Sequence, residues 1–529
     1  MKKKMSRPSD SGLFEGLVPS VALSSLLIVL AIAASAAIFN EPFDAALAGA
    51  REAVTPFLES YYIVLVSIIL IFVIWLGVGR YKNVRLGGDD ETPEFSTFSW
   101  ITMLFAAGMG VGLIFWSVAE PISHLQENPF MQHDAGRAPA DVAMRLTFFH
   151  WGLHGWALFS FVAIVIGYFG FRYKLPLTMR SALFPILRQR IFGPVGDVMD
   201  IFTVVATLFG IVTTVGLGVQ QLNAGLEALF GIATASRVQI LVSVIVMTIA
   251  TSALLAGLDN GLRLLSETNF WLSVLLVGIF LSLGPTTYLL ALAAQTTGDY
   301  LQNLVFQSFW TAANEPSDWH GQWTVFYWGW WMAWAPFVGL FVARISRGRK
   351  LREFVMGVLL APVIISFVWL AVLGGTGLHL EQTADAGIAN VMQVNVATAF
   401  YHTVDVLSSG HVGLAIAVLV TILIAIYLIT SASAGVLVVN TLLAFGGTRH
   451  KRRHQIAWGA IIAALTAALL VAGGIETLQN AVIMASLPFS VGLIAMMVGL
   501  VWALEEEVYG PVRGDRSVLP SEPWTQTGP

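Results

Sequence analysis

The chain has 529 residues, of which 56% are hydrophobic and only 11% are charged, with a mean hydropathy of +0.76. A soluble domain carries about 25% charged residues, so the composition excludes a soluble globular protein and indicates a polytopic membrane protein. Cysteine is absent, which excludes disulfides and thiol chemistry. The net charge of −4 gives no indication of nucleic-acid binding, and we expect none.

Twelve apolar segments are long enough to cross a bilayer as helices. When they alternate across the membrane, all of the 28 Lys and Arg residues except Arg51, Arg137, Arg145 and Arg237 fall on one side. The positive-inside rule then predicts that both termini are cytoplasmic. The segments lie near residues 17–38, 61–79, 98–119, 142–168, 197–218, 237–256, 268–293, 324–343, 354–374, 411–437, 456–473 and 479–503.

The spans group into two units of five behind two peripheral N-terminal spans. Between the units, the spacing of Leu301, Leu304 and Phe309 among charged residues predicts an amphipathic helix on the outer membrane surface. The predicted organisation is a cytoplasmic segment at 1–16, two peripheral spans in 17–97, a first five-helix repeat at 98–293, the amphipathic linker at 294–323, a second repeat at 324–503 and a short cytoplasmic tail at 504–529.

The third span contains Gly108, Gly110 and Gly112 at every second position. Each glycine costs a helix about 1 kcal/mol relative to alanine. One interpretation is close helix packing through small residues. The other is an unwound segment at mid-membrane, where backbone amides can bind an anionic group and carbonyls can bind a cation.

The eighth span carries tryptophans in its interior, where membrane helices usually have them only at the ends. Trp330 and Trp331 lie four and three residues before Trp334, so their rings share one helix face. Indole faces in a dry site attract a quaternary ammonium, which has no proton to donate. Packing against lipid or other helices is the alternative. Pro336 favours a cavity, because it leaves a backbone carbonyl without its helical partner.

Two further spans carry polar pairs. In the fourth span, His150 and His154 are four residues apart, a spacing that could bind a metal. With no third ligand evident, we expect packed or hydrogen-bonded core histidines. In the tenth span, the adjacent hydroxyls of Thr430 and Ser431 suit a hard cation such as sodium.

These segments resemble the betaine/carnitine/choline transporter family, from about residue 15 to residue 505. The longest match is Trp323–Trp331 with Pro336–Gly339 and Ala343–Arg349, and the glycine run, His150–Phe159 and Tyr427–Gly435 extend it. The resemblance implies an all-α polytopic protein of the bacterial inner membrane with two inverted five-helix repeats of the LeuT type. It also implies a transporter rather than an enzyme, and a homotrimer.

The resemblance implies a site for each ligand. The trimethylammonium head would lie among Trp151, Trp156, Phe159, Trp330, Trp331, Trp334 and Phe115, with the carboxylate facing Gly108, Gly110 and Gly112. One sodium ion would bind at Ala106, Met109, Thr430 and Ser431, and a second at Thr207 and Phe337. The second sodium site departs from the family, because relatives carry a hydroxyl where this chain has Ile211.

The sequence therefore predicts sodium-coupled symport of glycine betaine or a related trimethylammonium zwitterion, with sodium as the only cofactor. We find no Asp or Glu securely inside spans 3, 5, 8 or 10, which disfavours a proton relay. The alternative is proton-coupled or exchange transport of choline, carnitine or a sulfonium analogue such as dimethylsulfoniopropionate. In the family, choline-specific members resemble one another in an acidic residue near the position of Gly112, and carnitine exchangers in an arginine at that of Phe270.

Overall fold

The computed structural model describes residues 6–510 apart from 109, 135, 258 and 315–317. The described residues form helices and no strand longer than an isolated bridge. The helices are α1 (Pro19–Ile38), α2 (Asn40–Val78), α3 (Thr97–Gly108), α4 (Val111–Gln126), α5 (Phe130–His133), α6 (Pro139–Trp151), α7 (Leu153–Gly167), α8 (Phe184–Leu187), α9 (Pro194–Phe230), α10 (Ser236–Leu255), α11 (Asp259–Leu283), α12 (Thr286–Phe309), α13 (Trp319–Gln322), α14 (Thr324–Ile345), α15 (Leu351–Ala384), α16 (Ile388–Val394), α17 (Ala399–Leu407), α18 (Gly410–Leu443) and α19 (Arg452–Tyr509).

Ten helical segments of the described residues are long and apolar enough to cross a membrane. Two further features of the structure bear on the predicted number of twelve membrane spans. The pair α3 and α4 is too short in each half to be included among the ten. The 58-residue α19 bends at Gly473 and Gly474, where Gly474 adopts a positive φ of 70° that side chains rarely tolerate. The polytopic all-helical fold is confirmed, whereas the count of twelve spans and the inversion of the two repeats stay predictions.

The predicted boundary between the seventh span and the linker is wrong. The seventh span was expected at 268–293, but α11 ends at Leu283 and α12 already begins at Thr286. Gly284 and Pro285 separate the two helices, because proline lacks the backbone N–H that continues a helix. The linker helix therefore starts ahead of the predicted 294 and ends at Phe309, before the short α13.

The polar face of α12 packs on the protein and its apolar face is exposed. Asp299 is buried and forms ion pairs with Arg137 and Arg145. Leu301 and Val305 are among its exposed side chains. This is the amphipathic pattern of a helix that lies between the protein and lipid.

The core of the molecule surrounds α14. This helix is buried along most of its length because it packs against α7, α9 and α19. By contrast, only 33%, 39% and 22% of the residues are buried in the most apolar 18-residue stretches of α1, α10 and α11. Helices that are apolar on all sides yet exposed are suited to contact with lipid. The tryptophans of α14 thus lie at the centre of the bundle.

Candidate functional site

A cavity of about 40 Å³ lies beside α14, and we call it the tryptophan cavity. This volume is below the range of about 300–1,000 Å³ typical of small-molecule sites, so the cavity is nearly closed in this structure. Its walls come from α4, α6, α7, α9, α14 and α15. The lining residues are Gly110, Val111, Gly112, Leu113, His150, Trp151, Gly155, Trp156, Phe159, Thr214, Trp330, Trp331, Trp334 and Ser366.

The aromatic rings of this cavity are arranged in two ways: Trp330 and Trp331 stack on each other, whereas Trp151, Trp156 and Phe159 stand nearly at right angles to their neighbours. Trp330 and Trp331 stack, with ring centroids 4.8 Å apart and planes at 13°. Trp151 stands edge-on to Trp331 at 5.0 Å and 73°. Phe159 does the same at 5.8 Å and 81°, and Trp156 meets Phe159 at 5.4 Å and 89°. Perpendicular faces form the walls of a box, the arrangement that binds a quaternary ammonium through ring quadrupoles.

The indole N–H groups of the three α14 tryptophans that line the cavity are bound to protein acceptors, so these rings are held in place. Trp331 Nε1 donates to the carbonyl oxygen of His150 at 2.9 Å. Trp334 Nε1 donates to the carbonyl oxygen of Gly210 at 3.1 Å, and Trp330 Nε1 lies 3.3 Å from the Thr214 hydroxyl oxygen. Because these donors are satisfied, the ligand is offered ring faces and not N–H groups.

Two glycines make room for the tryptophans. A Cβ atom on Gly112 would overlap the outer edge of the Trp330 ring. A Cβ on Gly155 would lie 3.1 Å from Cδ1 and Nε1 of Trp331, closer than ordinary van der Waals contact. The close packing that the sequence suggested for the glycine run is therefore present at Gly112. Gly155, which sequence reasoning missed, is its counterpart on α7.

The glycine run also divides the third span. α3 ends at Gly108 and α4 begins at Val111, with Gly110 extended (φ −159°, ψ 176°) and no side chain capping the new helix. The first N–H groups of a helix have no intrahelical acceptor and lie at the positive end of its dipole. Since Gly110, Val111 and Gly112 line the tryptophan cavity, α4 offers it an anion-binding end.

Most of the predicted cage residues lie together. Eight of them line the tryptophan cavity: Trp151, Trp156, Phe159, Trp330, Trp331, Trp334, Gly110 and Gly112. Phe115 does not, because its buried ring packs edge-on against Trp116 at 4.9 Å. Gly108 ends α3. The role of this set in substrate binding stays a prediction.

A buried carboxylate adjoins the cavity, and the expectation of no acidic residue in these spans is wrong. Glu120 is 0% exposed, because α4 continues past the predicted end of the span at 119 as far as Gln126. Its Oε2 accepts hydrogen bonds from Trp151 Nε1 at 2.8 Å and from the Tyr327 hydroxyl. Span 5 likewise contains buried Asp200, which pairs with Arg180. The sequence signal was present in Glu120-Pro121, one residue beyond the assumed boundary.

The histidines are hydrogen-bonded and buried, as predicted. His150 Nδ1 lies 2.7 Å from Glu120 Oε1, and His154 Nε2 lies 3.0 Å from the Ser308 hydroxyl. They belong to separate networks because the non-helical Gly152 (φ −91°, ψ −142°) divides α6 from α7. A third histidine that sequence reasoning missed, His124, approaches Glu120 Oε1 at 3.3 Å. We interpret this cluster as a hydrogen-bond network, since 2.7 Å is a direct hydrogen-bond distance.

Known proteins identify the family of this chain. The family model described as "BCCT, betaine/carnitine/choline family transporter" matches residues 20–509. The chain belongs to this family. As the sequence predicted, it is therefore a membrane transporter and not an enzyme.

Three similar relatives, all bacterial, illustrate the range of named substrates. The glycine betaine transporter OpuD of Bacillus subtilis (strain 168) is 39% identical over 489 residues, which cover 91% of this chain and 94% of the relative. The osmo-dependent choline transporter BetT2 of Acinetobacter baylyi is 39% identical over 503 residues, 94% of this chain and 72% of the relative. The high-affinity choline transport protein of Escherichia coli (strain K12) is 37% identical over 468 residues, 87% of this chain and 68% of the relative.

This transporter has a second cavity of about 290 Å³, which we call the inner cavity. It contains the hydroxyls of Thr430 and Ser431. Trp334 lines both cavities and therefore lies at the boundary between them. The lining residues are Ser266, Asn269, Phe270, Trp334, Phe337, Val338, Leu340, Phe341, Arg344, Tyr427, Thr430, Ser431, Ala434, Leu437, Val438 and Thr441.

The hydroxyls of the predicted first sodium site are suited to a cation. Thr430 Oγ1 donates its proton to the carbonyl oxygens of its own helix, at Ile426 (2.9 Å) and Tyr427 (3.0 Å). With the proton directed into the helix, the oxygen lone pairs remain for a hard cation. Ala106 lies in α3, and Met109 lies outside the described residues. This sodium site stays a prediction.

The predicted second sodium pair is not brought into one cavity. Thr207 is buried, donates to the Thr203 carbonyl at 2.7 Å and lines neither cavity. Phe337 lines the inner cavity. Ile211 occupies the space in front of Gly435, whose added Cβ would lie 2.9 Å from the Ile211 side chain. An apolar contact between α9 and α18 is thus present at Ile211.

Proposed function

We propose that this transporter takes up glycine betaine, or a related trimethylammonium zwitterion, in symport with sodium. The observation that carries the proposal is the composition of the tryptophan cavity. Trp151, Trp330 and Trp331 line it together with the amide end of α4, and no Asp, Glu, Lys or Arg is among the described lining residues. Ring faces suit a cationic head, and helix amides suit a carboxylate.

The strengths of these contacts are sufficient for useful affinity. A desolvated cation–π contact contributes about 2 kcal/mol, and micromolar binding requires about 8 kcal/mol in total. Three ring faces together with the α4 amides reach this range before the cost of ordering the ligand. The bound carboxylate would also satisfy amide donors that have no side-chain cap. The name of OpuD, a glycine betaine transporter, is consistent with this substrate.

Sodium would be held by the hydroxyls of Thr430 and Ser431, on the side of Trp334 away from the cage. A bound cation supplies a positive charge that draws oxygen ligands of separate helices together. α18, which carries both hydroxyls, packs along α9, and α9 packs on α14 with its tryptophans. Because coupling between two binding sites is reciprocal, sodium that favours the substrate-ready arrangement must bind more tightly when substrate is present.

The second candidate function is proton-coupled transport of choline or another onium compound. Glu120 favours it, because this buried carboxylate is one hydrogen bond from Trp151 in the cage wall and one from His150. Buried ionisable groups in spans often belong to proton pathways. Two of the relatives are named as choline transporters.

Uptake into proteoliposomes separates these candidates. Labelled glycine betaine, choline, carnitine and dimethylsulfoniopropionate are compared under an inward sodium gradient, an inward proton gradient, or neither. The proposal expects betaine to accumulate only with the sodium gradient. Accumulation of choline driven by protons alone would establish the second candidate, and accumulation in neither gradient would reject both.

We further propose a homotrimer in the bacterial inner membrane with cytoplasmic termini. All three relatives described above are bacterial. The distribution of Lys and Arg over the loops supports the orientation. Mass measurement of the detergent-solubilised protein tests the oligomer, and protease access to tags at each end of the chain in spheroplasts and inverted vesicles tests the orientation.

A further inference from the structure

The inner cavity contains a guanidinium group that nothing in the described residues neutralises. Arg344, from the last turn of α14, lines this cavity. Its Nη2 atom is buried and has no hydrogen-bond partner among the described residues. No described carboxylate lies within ion-pair distance of it. A buried cationic donor without a partner is costly and needs an explanation.

The neighbouring arginines of the same segment have partners. Arg347 forms an ion pair with Glu91. Arg349 donates to the carbonyl oxygen of Phe95 at 2.8 Å and lies over the ring of Trp100 at 4.1 Å. Arg349 Nε is also buried without a partner, but Arg344 differs from both neighbours in having no ion pair, hydrogen bond or aromatic contact among the described residues.

The inner cavity has two chemically different ends. Trp334 and Phe337 lie towards the tryptophan cavity, and their rings are 4.8 Å apart. Arg344 lies two to three helical turns further along α14, about 10–15 Å away by helix geometry, where Thr441 also lines the wall. His450 reaches this end through a 3.2 Å contact with the Thr441 hydroxyl. Aromatic faces at one end and the guanidinium group of Arg344 at the other match the two ends of a zwitterion.

We propose that the inner cavity is a second binding site, in which Arg344 holds the carboxylate of the zwitterion after it leaves the tryptophan cavity. Trp334, shared by both cavities, would pass the onium head from one to the other. Choline has no carboxylate and gains nothing from Arg344, so the site distinguishes zwitterions from simple cations at release. The inference rests on the proposed function, because it requires a zwitterionic substrate.

The test compares Arg344→Gln and Arg344→Lys with the matched control Arg347→Gln, whose residue lies outside both cavities. Each protein is reconstituted in proteoliposomes sorted by orientation. The KM for betaine is measured separately from the side of the inner cavity and from the opposite side. Choline is added on the inner side as an inhibitor of betaine flux, and its inhibition constant is recorded. Size-exclusion profiles and tryptophan fluorescence verify folding.

We expect Arg344→Gln to raise the inner-side KM for betaine about tenfold, the usual effect of losing a charge-assisted hydrogen bond. Arg344→Lys should recover part of this loss, because it keeps the charge but not the two-pronged geometry. The inhibition constant of choline and the KM from the opposite side should not change. An unchanged inner-side KM for betaine, or an equal rise in the choline constant, would overturn the inference.

A chloride-free arm distinguishes the substrate carboxylate from an inorganic anion. If Arg344 instead binds chloride, replacing chloride by gluconate will slow wild-type transport and leave Arg344→Gln unaffected, which overturns the carboxylate assignment. Failure of the proposed function is visible separately, because the wild-type protein would then carry no betaine in any buffer, and the inference would fall with it.

Discussion

The tryptophan cavity and the inner cavity share Trp334 but differ in how their polar groups are satisfied. In the first, the rings of Trp330 and Trp331 are buried and their N–H groups are bound to the protein. In the second, Thr430 and Ser431 are half-buried and Arg344 has no described partner. The comparison indicates that the cage is organised before substrate arrives, which reduces the cost of ordering it on binding. The inner cavity instead keeps polar groups available for ligands.

The largest effect should follow from Trp331→Leu, which removes the ring at the centre of the cage. Trp331 contacts the rings of Trp151, Phe159 and Trp330. We expect the KM for betaine to rise about a hundredfold, from loss of about 2 kcal/mol of cation–π energy and part of the ring packing. Trp328→Phe is the control, because Trp328 is buried on the same helix but stacks on His154. Equal effects of both variants on KM would contradict the cage.

Thr430→Ala tests the hydroxyl chemistry of the inner cavity. We expect the sodium concentration for half-maximal betaine uptake to rise about tenfold, because a hard cation loses an oxygen ligand. Thr421→Ala is the control. Its hydroxyl also donates to its own helix, at the Ala417 carbonyl, but does not line the cavity. A sodium dependence like that of the wild type would remove Thr430 from the site.

Gly112→Ala tests whether the cage needs the glycine run for space. The added methyl group would overlap the Trp330 ring, and overpacking costs about 1–3 kcal/mol. We expect the KM for betaine to rise about fivefold. Gly278→Ala is the control, because no atom lies within 4 Å of its added Cβ. If both alanine variants transport betaine with the wild-type KM, Trp330 is less rigidly placed than its contacts indicate.

Glu120→Gln distinguishes a positioning residue from a proton carrier. The amide has one acceptor oxygen where the carboxyl group has two, so it cannot accept hydrogen bonds at the positions of both Oε1 and Oε2, and the Trp151 ring should lose part of its orientation. For sodium symport we expect the KM for betaine to rise about threefold, because one neutral hydrogen bond is lost, with the sodium gradient still driving uptake. Loss of all concentrative uptake, with exchange of internal for external substrate preserved, would indicate proton coupling through Glu120.

The smallest effect is expected for Thr207→Ala. Its hydroxyl is occupied by the Thr203 carbonyl and lines neither cavity. Such a bond within one helix contributes little to a remote site. We expect the Hill coefficient and half-saturating concentration for sodium to change less than about twofold. A fall of the Hill coefficient towards one would restore the second sodium site.

Some of the candidate site could be predicted because its signals are local. Trp330, Trp331 and Trp334 are close in sequence, and helical periodicity alone places them near one another. The buried carboxylate of Glu120 was missed because the predicted end of the third span lay one residue too early. Its partner Tyr327 was missed because nothing in the sequence distinguishes it from the many other aromatic residues. Phe115 does not line the tryptophan cavity, and periodicity does not reveal whether a buried ring faces a cavity or, as here, Trp116.

The sequence alone determined that this protein lies in a lipid bilayer, that it is helical, and where its aromatic and hydroxyl clusters lie along the chain. These features could be read from the sequence because hydropathy and spacing depend on a few neighbouring residues. The tertiary structure alone decided which buried polar groups have a hydrogen-bond or ion-pair partner. The hydrogen bond between Glu120 and Tyr327 joins residues 207 positions apart. The absence of a described partner for Arg344 depends on the helices packed around it. Burial makes such pairings energetically decisive, since a polar group removed from water must find its partner within the fold.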